Sequence, residues 1–262
     1  MNLLLENKVV LITGATGGIG ECLVRAYAAE GCKLSITSTR QEKLDKLTAA
    51  LDIAPDHLFT QVVDVRNEDE VKAMIDKTVE HYGRLDVLVN NAGFEGAIAP
   101  VTAQTRDNFM AVYDINVFGA LSCMKYAAGY IAQQGAGSIV VIASGASFMG
   151  SPGMSPYISS KHAVAGISKC LALELATTGV NVNCVCPGPV DTEMMHDIEK
   201  KALGENVNLD EAQKAFAAGT PNGRFAKPEE VAALSVFLSS PLAAHITGDL
   251  VNIDGGVAAN GR

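Results

Sequence analysis

Short unbroken apolar runs alternating with amphipathic stretches constrain this chain more than any other feature. Val9-Val10-Leu11-Ile12 is the first such run. Four consecutive apolar residues suit a strand covered on both faces, as in a parallel sheet. The run enters Thr13-Gly14-Ala15-Thr16-Gly17-Gly18-Ile19-Gly20, and an amphipathic helix follows to about Glu30, where Gly31 stops it. Further strands are predicted at 33–37, 58–63, 85–89, 138–142, 180–185 and 250–253. Helices are predicted at 41–51 and 68–82, from Thr105 or Asp107 to before Gly135, and from Tyr157 to about Thr178. A polar, helix-prone segment fills about 193–219, and Pro228-Glu229-Glu230 opens a last major helix. Strand and helix alternate throughout, which predicts an α/β fold: a doubly wound parallel sheet with helices on both faces. No repeat, low-complexity segment or linker interrupts the 262 residues, so one Rossmann-fold domain over 1–262 is expected.

Ligands of such sheets bind beyond the strand C-termini. The strand-end stretches 14–20, 38–40, Asp64, 90–93, Ser144 and 187–192 therefore gather on one rim. A glycine-rich turn between first strand and first helix lets a pyrophosphate approach the free N–H groups of the helix N-terminus. The second strand ends in Ser38-Thr39-Arg40, where an NAD site usually holds an acidic residue on the ribose. A guanidinium and two hydroxyls suit a 2′-phosphate instead, which favours NADP(H) over NAD(H). The plainer reading of Arg40 is that it opens an exposed helix.

Tyr157 and Lys161 stand four residues apart, one turn on the same helix face. A phenol titrates near ~10, and a fixed positive charge beside it favours the phenolate. Alone, the pair reads more readily as two residues of a solvated face. Its neighbours change that, because Tyr157 follows the strand-end Ser144 by a short loop and reaches the same rim. Asn116 sits mid-helix, and a mediocre helix former there invites a reason.

Composition excludes several other classes. The formal charge of −9 carries no basic stripe, so nucleic acid is not an expected partner. The six cysteines lie in apolar stretches and read as buried thiols of a reducing compartment. Cys184-x-Cys186 is their only close pair and lacks further metal ligands, so no metal is expected. No signal peptide and no bilayer-spanning run is seen, and a cytoplasmic location is expected. His57, His81, His196 and His245 show no acid/base partner in sequence.

Taken together, Thr13-Gly14-x-x-x-Gly18-Ile19-Gly20, Asn90-Asn91-Ala92-Gly93, Asn116, Ser144, Tyr157-x-x-x-Lys161, Pro187-Gly188 and the closing Asp254-Gly255-Gly256 resemble the short-chain dehydrogenase/reductase family over essentially the whole chain. The chain is most similar to the 3-oxoacyl-(acyl-carrier-protein) reductase-like members. The resemblance implies an oxidoreductase moving a hydride between nicotinamide and a secondary alcohol or ketone. It implies that Tyr157 is the general acid/base, that Lys161 holds the nicotinamide ribose and lowers the phenol's pKa, and that Ser144 bonds the substrate oxygen. Asn116 would interrupt its helix to hold a relay water. Gly14, Thr16, Gly18, Ile19 and Gly20 would cradle the pyrophosphate. Asp64 and Val65 would contact adenine, with Asn90, Asn91, Ala92 and Gly93 on the adenosine side. Asn91 and Thr13 also read as ties between the turn and its neighbouring strands. Pro187, Gly188, Val190 and Thr192 would line the nicotinamide. Gly17 stands where many NADP-using members have a basic residue, and His162 where a small one is common; His162 reads as helix surface.

The substrate wall is expected from 94–97, 145–154 and 194–220, with Phe94, Ala146 and Met154 on it; Met194, Met195, Leu203 and Phe216 either face a rather apolar pocket or only pack that segment against the body. A lid is expected at about 193–220. The helices at 107–133 and 157–178 should share one sheet face and, as in the family, build a homotetramer. The rival function is a catalytically silent dinucleotide-binding sensor or scaffold.

Overall fold

The computed structural model describes residues 2–204 and 208–260. The strands are β1 (Val9–Ile12), β2 (Lys33–Ser38), β3 (Leu58–Val62), β4 (Val87–Asn90), β5 (Gly137–Ile142), β6 (Val180–Pro187) and β7 (Leu250–Ile253). They form one sheet in the order β3-β2-β1-β4-β5-β6-β7, and every neighbouring pair is parallel. From β1 the chain winds outward through β2 and β3, then returns to place β4 on the other side of β1. That reversal opens a crevice at the C-terminal ends of β1 and β4.

The strands are apolar on both sides because both sides are covered. Val10, Ile12, Leu34, Ile36, Val87, Val89 and Val140 pack with Leu23 and Tyr27 of α1 (Gly18–Ala29), Leu44 of α2 (Gln41–Ala49) and Val231 and Val236 of α9 (Pro228–Ser239). Val9, Leu11, Leu88, Ile139, Val141 and Val182 face the other way. They meet Val71 and Ile75 of α3 (Glu68–Tyr82), Met124 and Ile131 of α5 (Ala120–Gln133) and Val164 of α6 (Ser155–Glu174). Alternate residues of one strand thus enter opposite cores, as the pleat requires. α5 and α6 share a face, as expected.

The helix predicted from Thr105 to Gln133 is not uniform. α4 (Arg106–Tyr113) widens into a π turn over Asp114–Gly119 before α5 resumes. The widening brings Gly119 against Val65 at the end of β3, where a Cβ on the glycine would lie 2.9 Å from Val65 Cγ2. Pairing also carries β2 to Ser38 and β6 to Pro187, beyond the predicted ends, because ladders to β3 and β7 persist to the rim. α6 stops at Glu174 rather than Thr178; the Thr178 N–H and hydroxyl both close onto Leu175 O as a turn. The segment after β6 forms two helices, α7 (Glu193–Leu203) and α8 (Leu209–Ala217). The Leu203 side chain, expected toward the pocket, lies outside the described residues, as do 205–207.

Candidate active site

The turn after β1 is pressed onto the turn after β4. Gly14 has φ +62°, and a Cβ there would lie 2.9 Å from Ala92 Cα. Only glycine tolerates both the dihedral and the approach. Thr13 Oγ1 accepts the N–H groups of Asn91 (3.0 Å) and Ala92 (3.1 Å). Asn91 Nδ2 donates to the carbonyls of Thr13 (3.1 Å) and Gly14 (2.9 Å). The Asn91 side chain is therefore spent on the turn, which favours the structural of its two expected roles. Asn90 likewise donates to Ala120 O at 3.2 Å.

Helix α1 starts at Gly18 with no side-chain cap, so its first N–H groups stay open to an anion. A Cβ on Gly18 would stand 2.8 Å from Thr192 Cγ2, and one on Gly20 would stand 2.2 Å from Gly14 O. This close-packed cradle with free donors fits a pyrophosphate. Ile19 turns inward against the α1 core. Thr16 Oγ1 and Ser38 Oγ lie 2.8 Å apart, and Ser38 Oγ also accepts Arg40 N–H at 3.3 Å. Thr39 and Arg40 are exposed, and the Arg40 guanidinium makes a loose 3.9 Å pair with Glu42.

At the end of β3 the side chains serve the protein itself. Arg66 Nε bonds both Asp64 oxygens at 3.0 and 2.9 Å and holds the carboxyl below its usual range. Val65 is buried against Gly119. Beyond β6, Gly188 N–H donates to Ile253 O (3.1 Å), Val190 is buried and pairs with Ala226, and Thr192 Oγ1 accepts Met195 N–H (3.3 Å) to cap α7. Pro187 O lies where a Cβ on Gly145 would meet it at 3.4 Å, so this strand end borders the Ser144 turn.

Tyr157 and Lys161 lie in the first turns of α6, with Pro156 starting the helix. Lys161 is buried; its Nζ donates to Ile142 O at 2.9 Å and stands 5.6 Å from the centre of the Tyr157 ring. Burial brings its pKa down to about 8, opposed by Cys184 and Cys186 behind it. Ser144 Oγ accepts Ala146 N–H at 3.1 Å, and Ala146 is buried. The phenol of Tyr157 is pushed above its usual 10 by loss of hydration, pulled down by the Ser144 hydroxyl and pushed up again by Glu95. This differs from the lowered value expected from Lys161. The reason is burial, since loss of hydration is the largest influence on the phenol.

Asn116 occupies the π turn and is buried. Its Oδ1 accepts Phe94 N–H (2.8 Å), and its Nδ2 donates to Phe94 O (2.9 Å) and Ser160 Oγ (3.0 Å). The side chain clamps the loop after β4 to α6, leaving it no free amide proton. Gly93 lies between, with its Cβ position 3.6 Å from Asn116 Oδ1 and 3.9 Å from Lys161 Nζ. Phe94, Met154, Met194, Met195 and Phe216 are all half-buried. His162 is exposed, its Nδ1 2.9 Å from Ile158 O.

Sequence reasoning missed Ser160, the Ile142 carbonyl, and the buried Glu95 bound by Lys201 of α7. A carboxylate two residues past Gly93, inside a stretch expected to be apolar wall, was the available signal. It also missed that His196 pairs with Asp191 at 3.1 Å. Among the described residues no group of His, Cys, Asp and Glu is arranged to hold a metal ion.

Fold and site together define a dinucleotide-dependent oxidoreductase of the doubly wound class. Residues 14–258 match the family model described as enoyl-(acyl carrier protein) reductase. The chain is 36% identical over 253 residues to the 3-oxoacyl-(acyl-carrier-protein) reductase of Thermotoga maritima, covering 97% of this chain and 98% of that protein. It is 34% identical over 257 residues to the 3alpha-hydroxysteroid dehydrogenase of Mediterraneibacter gnavus, covering 97% and 98%. The crystal structure of levodione reductase superposes with a TM-score of 0.93 at 35% identity, over 97% of this chain and 99% of that one. The chain belongs to the short-chain dehydrogenase/reductase family, NAD(P)-dependent oxidoreductases acting on alcohol and ketone groups.

The buried lysine makes stability depend on pH. Its pKa falls from the usual 10.5 to about 8 on folding. The unfolded chain therefore binds more protons between those values, so stability rises with pH across that window and the penalty is complete below it. That penalty is roughly 3 kcal/mol. Lys161→Met should gain stability at neutral pH by up to about that amount, with the advantage vanishing at strongly alkaline pH, in urea denaturation across a pH series.

Proposed function

We propose that this protein reduces a ketone of moderate size, or oxidises the corresponding secondary alcohol, with Tyr157 as proton donor and acceptor and NADP(H) as preferred cofactor. The observation that carries the reading is the meeting of Ser144, Tyr157, Lys161 and Asn116 on one rim, beside an uncapped helix N-terminus. Gly14, Thr16, Gly18, Ile19 and Gly20 receive the pyrophosphate; Ser38, Thr39 and Arg40 receive the 2′-phosphate. The end of β3 at Asp64 and Val65, with Ala92 and Gly93, borders the adenosine half. Pro187, Gly188, Val190 and Thr192 border the nicotinamide half. When bound, the nicotinamide supplies or accepts the hydride.

The remaining chemistry belongs to the chain. Ser144 donates a hydrogen bond to the substrate oxygen as negative charge grows there. Tyr157 delivers its phenolic proton to that oxygen, or removes it in the reverse direction. The phenolate then lies beside the Lys161 ammonium in a site of low polarity, where the attraction is strong. Asn116 fixes the Phe94 loop and α6 to each other, and the π turn frees main-chain carbonyls for the relay water that its side chain does not hold. Met194, Met195, Phe94 and Met154 supply apolar wall, with α7 and α8 as the lid of a single catalytic domain. A silent sensor is the weaker reading, because all four catalytic groups are in place. A cytoplasmic homotetramer completes the proposal; among the described residues no helix is long and apolar enough to cross a membrane. Met110, Phe118, Leu121 and Leu173 expose apolar surface on the α4–α6 face that subunits would cover.

Three outcomes are expected. Tyr157→Phe should lose at least about 10³-fold in turnover while nicotinamide fluorescence still reports cofactor binding; near-wild-type turnover would sink the assignment. A screen of ketones and alcohols with each cofactor should favour NADPH, and Arg40→Ala should weaken NADPH about tenfold or more with little change for NADH. Light scattering on the eluting protein should give four times the chain mass, and a monomer would overturn the assembly.

A further inference from the structure

Helix α7 joins the two sides of the strand-end crevice. Its head stands at the turn after β1, where a Cβ on Gly18 would meet Cγ2 of Thr192, the residue that caps α7, at 2.8 Å. Its tail stands on the loop after β4, where the Lys201 ammonium bonds the Glu95 carboxylate and donates to Gly96 O at 3.3 Å. From Thr192 to Lys201 the helix rises ~13 Å, and β1 and β4 are neighbours in the sheet. The helix is thus a strap that touches both lips of the crevice.

The tail contact is built unlike a surface ion pair. The Glu95 side chain is 8% exposed and the Lys201 side chain 36%, so the ammonium reaches in from the surface to a carboxylate that is already inside. The loop carrying that carboxylate is braced along its length. Phe94 is clamped through both backbone groups by Asn116. Ala97 is clamped by Asn108 of α4, whose Oδ1 accepts the N–H at 2.9 Å and whose Nδ2 donates to the carbonyl at 3.0 Å. Further on, Ala99 N–H donates to Gly153 O at 3.0 Å, which stitches the loop to the wall at 145–154. The rim is therefore the fixed half of the contact, and α7 is the half that can leave it.

The inner face of α7 is a poor anchor. Glu199 is fully buried, one turn past Met195, and neither of its carboxyl oxygens has a hydrogen-bond partner among the described residues. Enclosing an unpartnered carboxyl costs free energy, and that cost is relieved when water reaches the group. The two carboxyls therefore pull in opposite directions. Lifting α7 hydrates Glu199 but deprives Glu95 of its ammonium.

We propose that the Lys201–Glu95 pair is the clasp of a strap across the dinucleotide crevice, and that the cofactor leaves only after this clasp opens. Lys201 is then a positioning residue. It touches no reacting atom and acts through where it holds α7, and with α7 the Met194 and Met195 side chains. The clasp works against the buried Glu199, and their balance sets how long α7 stays seated. The inference rests on the reading of α7 as the lid of a dinucleotide site.

The test makes two measurements on the full chain. In the first, NADPH or NADH, whichever the wild type binds more tightly, is bound and then displaced by excess oxidised cofactor, and nicotinamide fluorescence follows its release. In the second, hydrogen–deuterium exchange over α7 is read without cofactor. Lys201→Gln should release cofactor about tenfold faster, because removing one member of a largely buried pair leaves the other uncompensated, and should raise exchange over α7. Glu95→Gln should act in the same direction. The double variant should be no faster than the faster single, and Lys201→Arg should stay close to wild type. Unchanged exchange in Lys201→Gln overturns the clasp. So does a double variant whose acceleration is the product of the two singles, or a Lys201→Arg as fast as Lys201→Gln. Exchange that rises while release stays unchanged defeats the reading of α7 as a lid over the dinucleotide, and the proposal with it. Should Lys201→Gln fail to fold, Glu95→Gln decides by the same two readings.

Discussion

A buried ammonium sets the terms for this active site. Among the described residues Lys161 has no carboxylate partner, and its Nζ donates to Ile142 O. Charges in such surroundings are normally paired or neutralised. Here the depressed proton affinity records the cost of leaving the charge nearly alone. The same lack of screening is what makes the ammonium useful, because an anion forming near it gains far more than it would in water. An ammonium balanced by its own carboxylate would have little left to offer a phenolate. The site trades stability for an electrostatic field at one point of the rim.

That point is held by joints between strand ends rather than by any one element. The turns after β1 and β4 lock through Thr13, Asn91 and the bare Cα of Gly14. The loop after β4 locks to the π turn and to α6 through Asn116. α6 locks to the end of β5 through Lys161, and the start of α1 abuts Thr192 at the head of α7. The Thr13 and Asn116 side chains spend their hydrogen-bonding atoms within the protein. Position is thereby overdetermined, as proton transfer over hydrogen-bond distances demands.

The parallel sheet and its crevice were legible because they follow from local pattern: apolar runs of strand length, amphipathic spacing and a glycine turn at the first strand end. The gathering of Ser144, Tyr157 and Lys161 on one rim was legible for the same reason, since each sits close to a strand end or helix start. The direction of the Tyr157 shift was not. It is set by the loss of hydration in the folded site, which tertiary packing decides. The π turn was half legible, since Asn116 was conspicuous mid-helix, but its clamp on Phe94 belongs to tertiary structure. Glu95 was overlooked because a glutamate in a loop is ordinarily solvated. Its burial becomes intelligible only with Lys201, from a helix folded over it. The Asp64–Arg66 pair, two residues apart, was within reach of sequence reasoning and was passed over in favour of a ligand role.

These failures have a common location. The residues proposed for the reaction stand at a strand end or on the helices beside it, whose geometry the local sequence largely dictates. The residues proposed for the substrate wall lie on 94–97, 145–154 and the α7–α8 segment, whose contacts join parts of the chain remote from one another. Half-buried Met194, Met195 and Phe94 can repack around differently shaped apolar groups at small cost, methionine being the most adaptable filler. A fixed carboxylate cannot. Glu95 is therefore the feature of this wall least compatible with a purely apolar substrate lying against it, unless Lys201 stays in place to pair it.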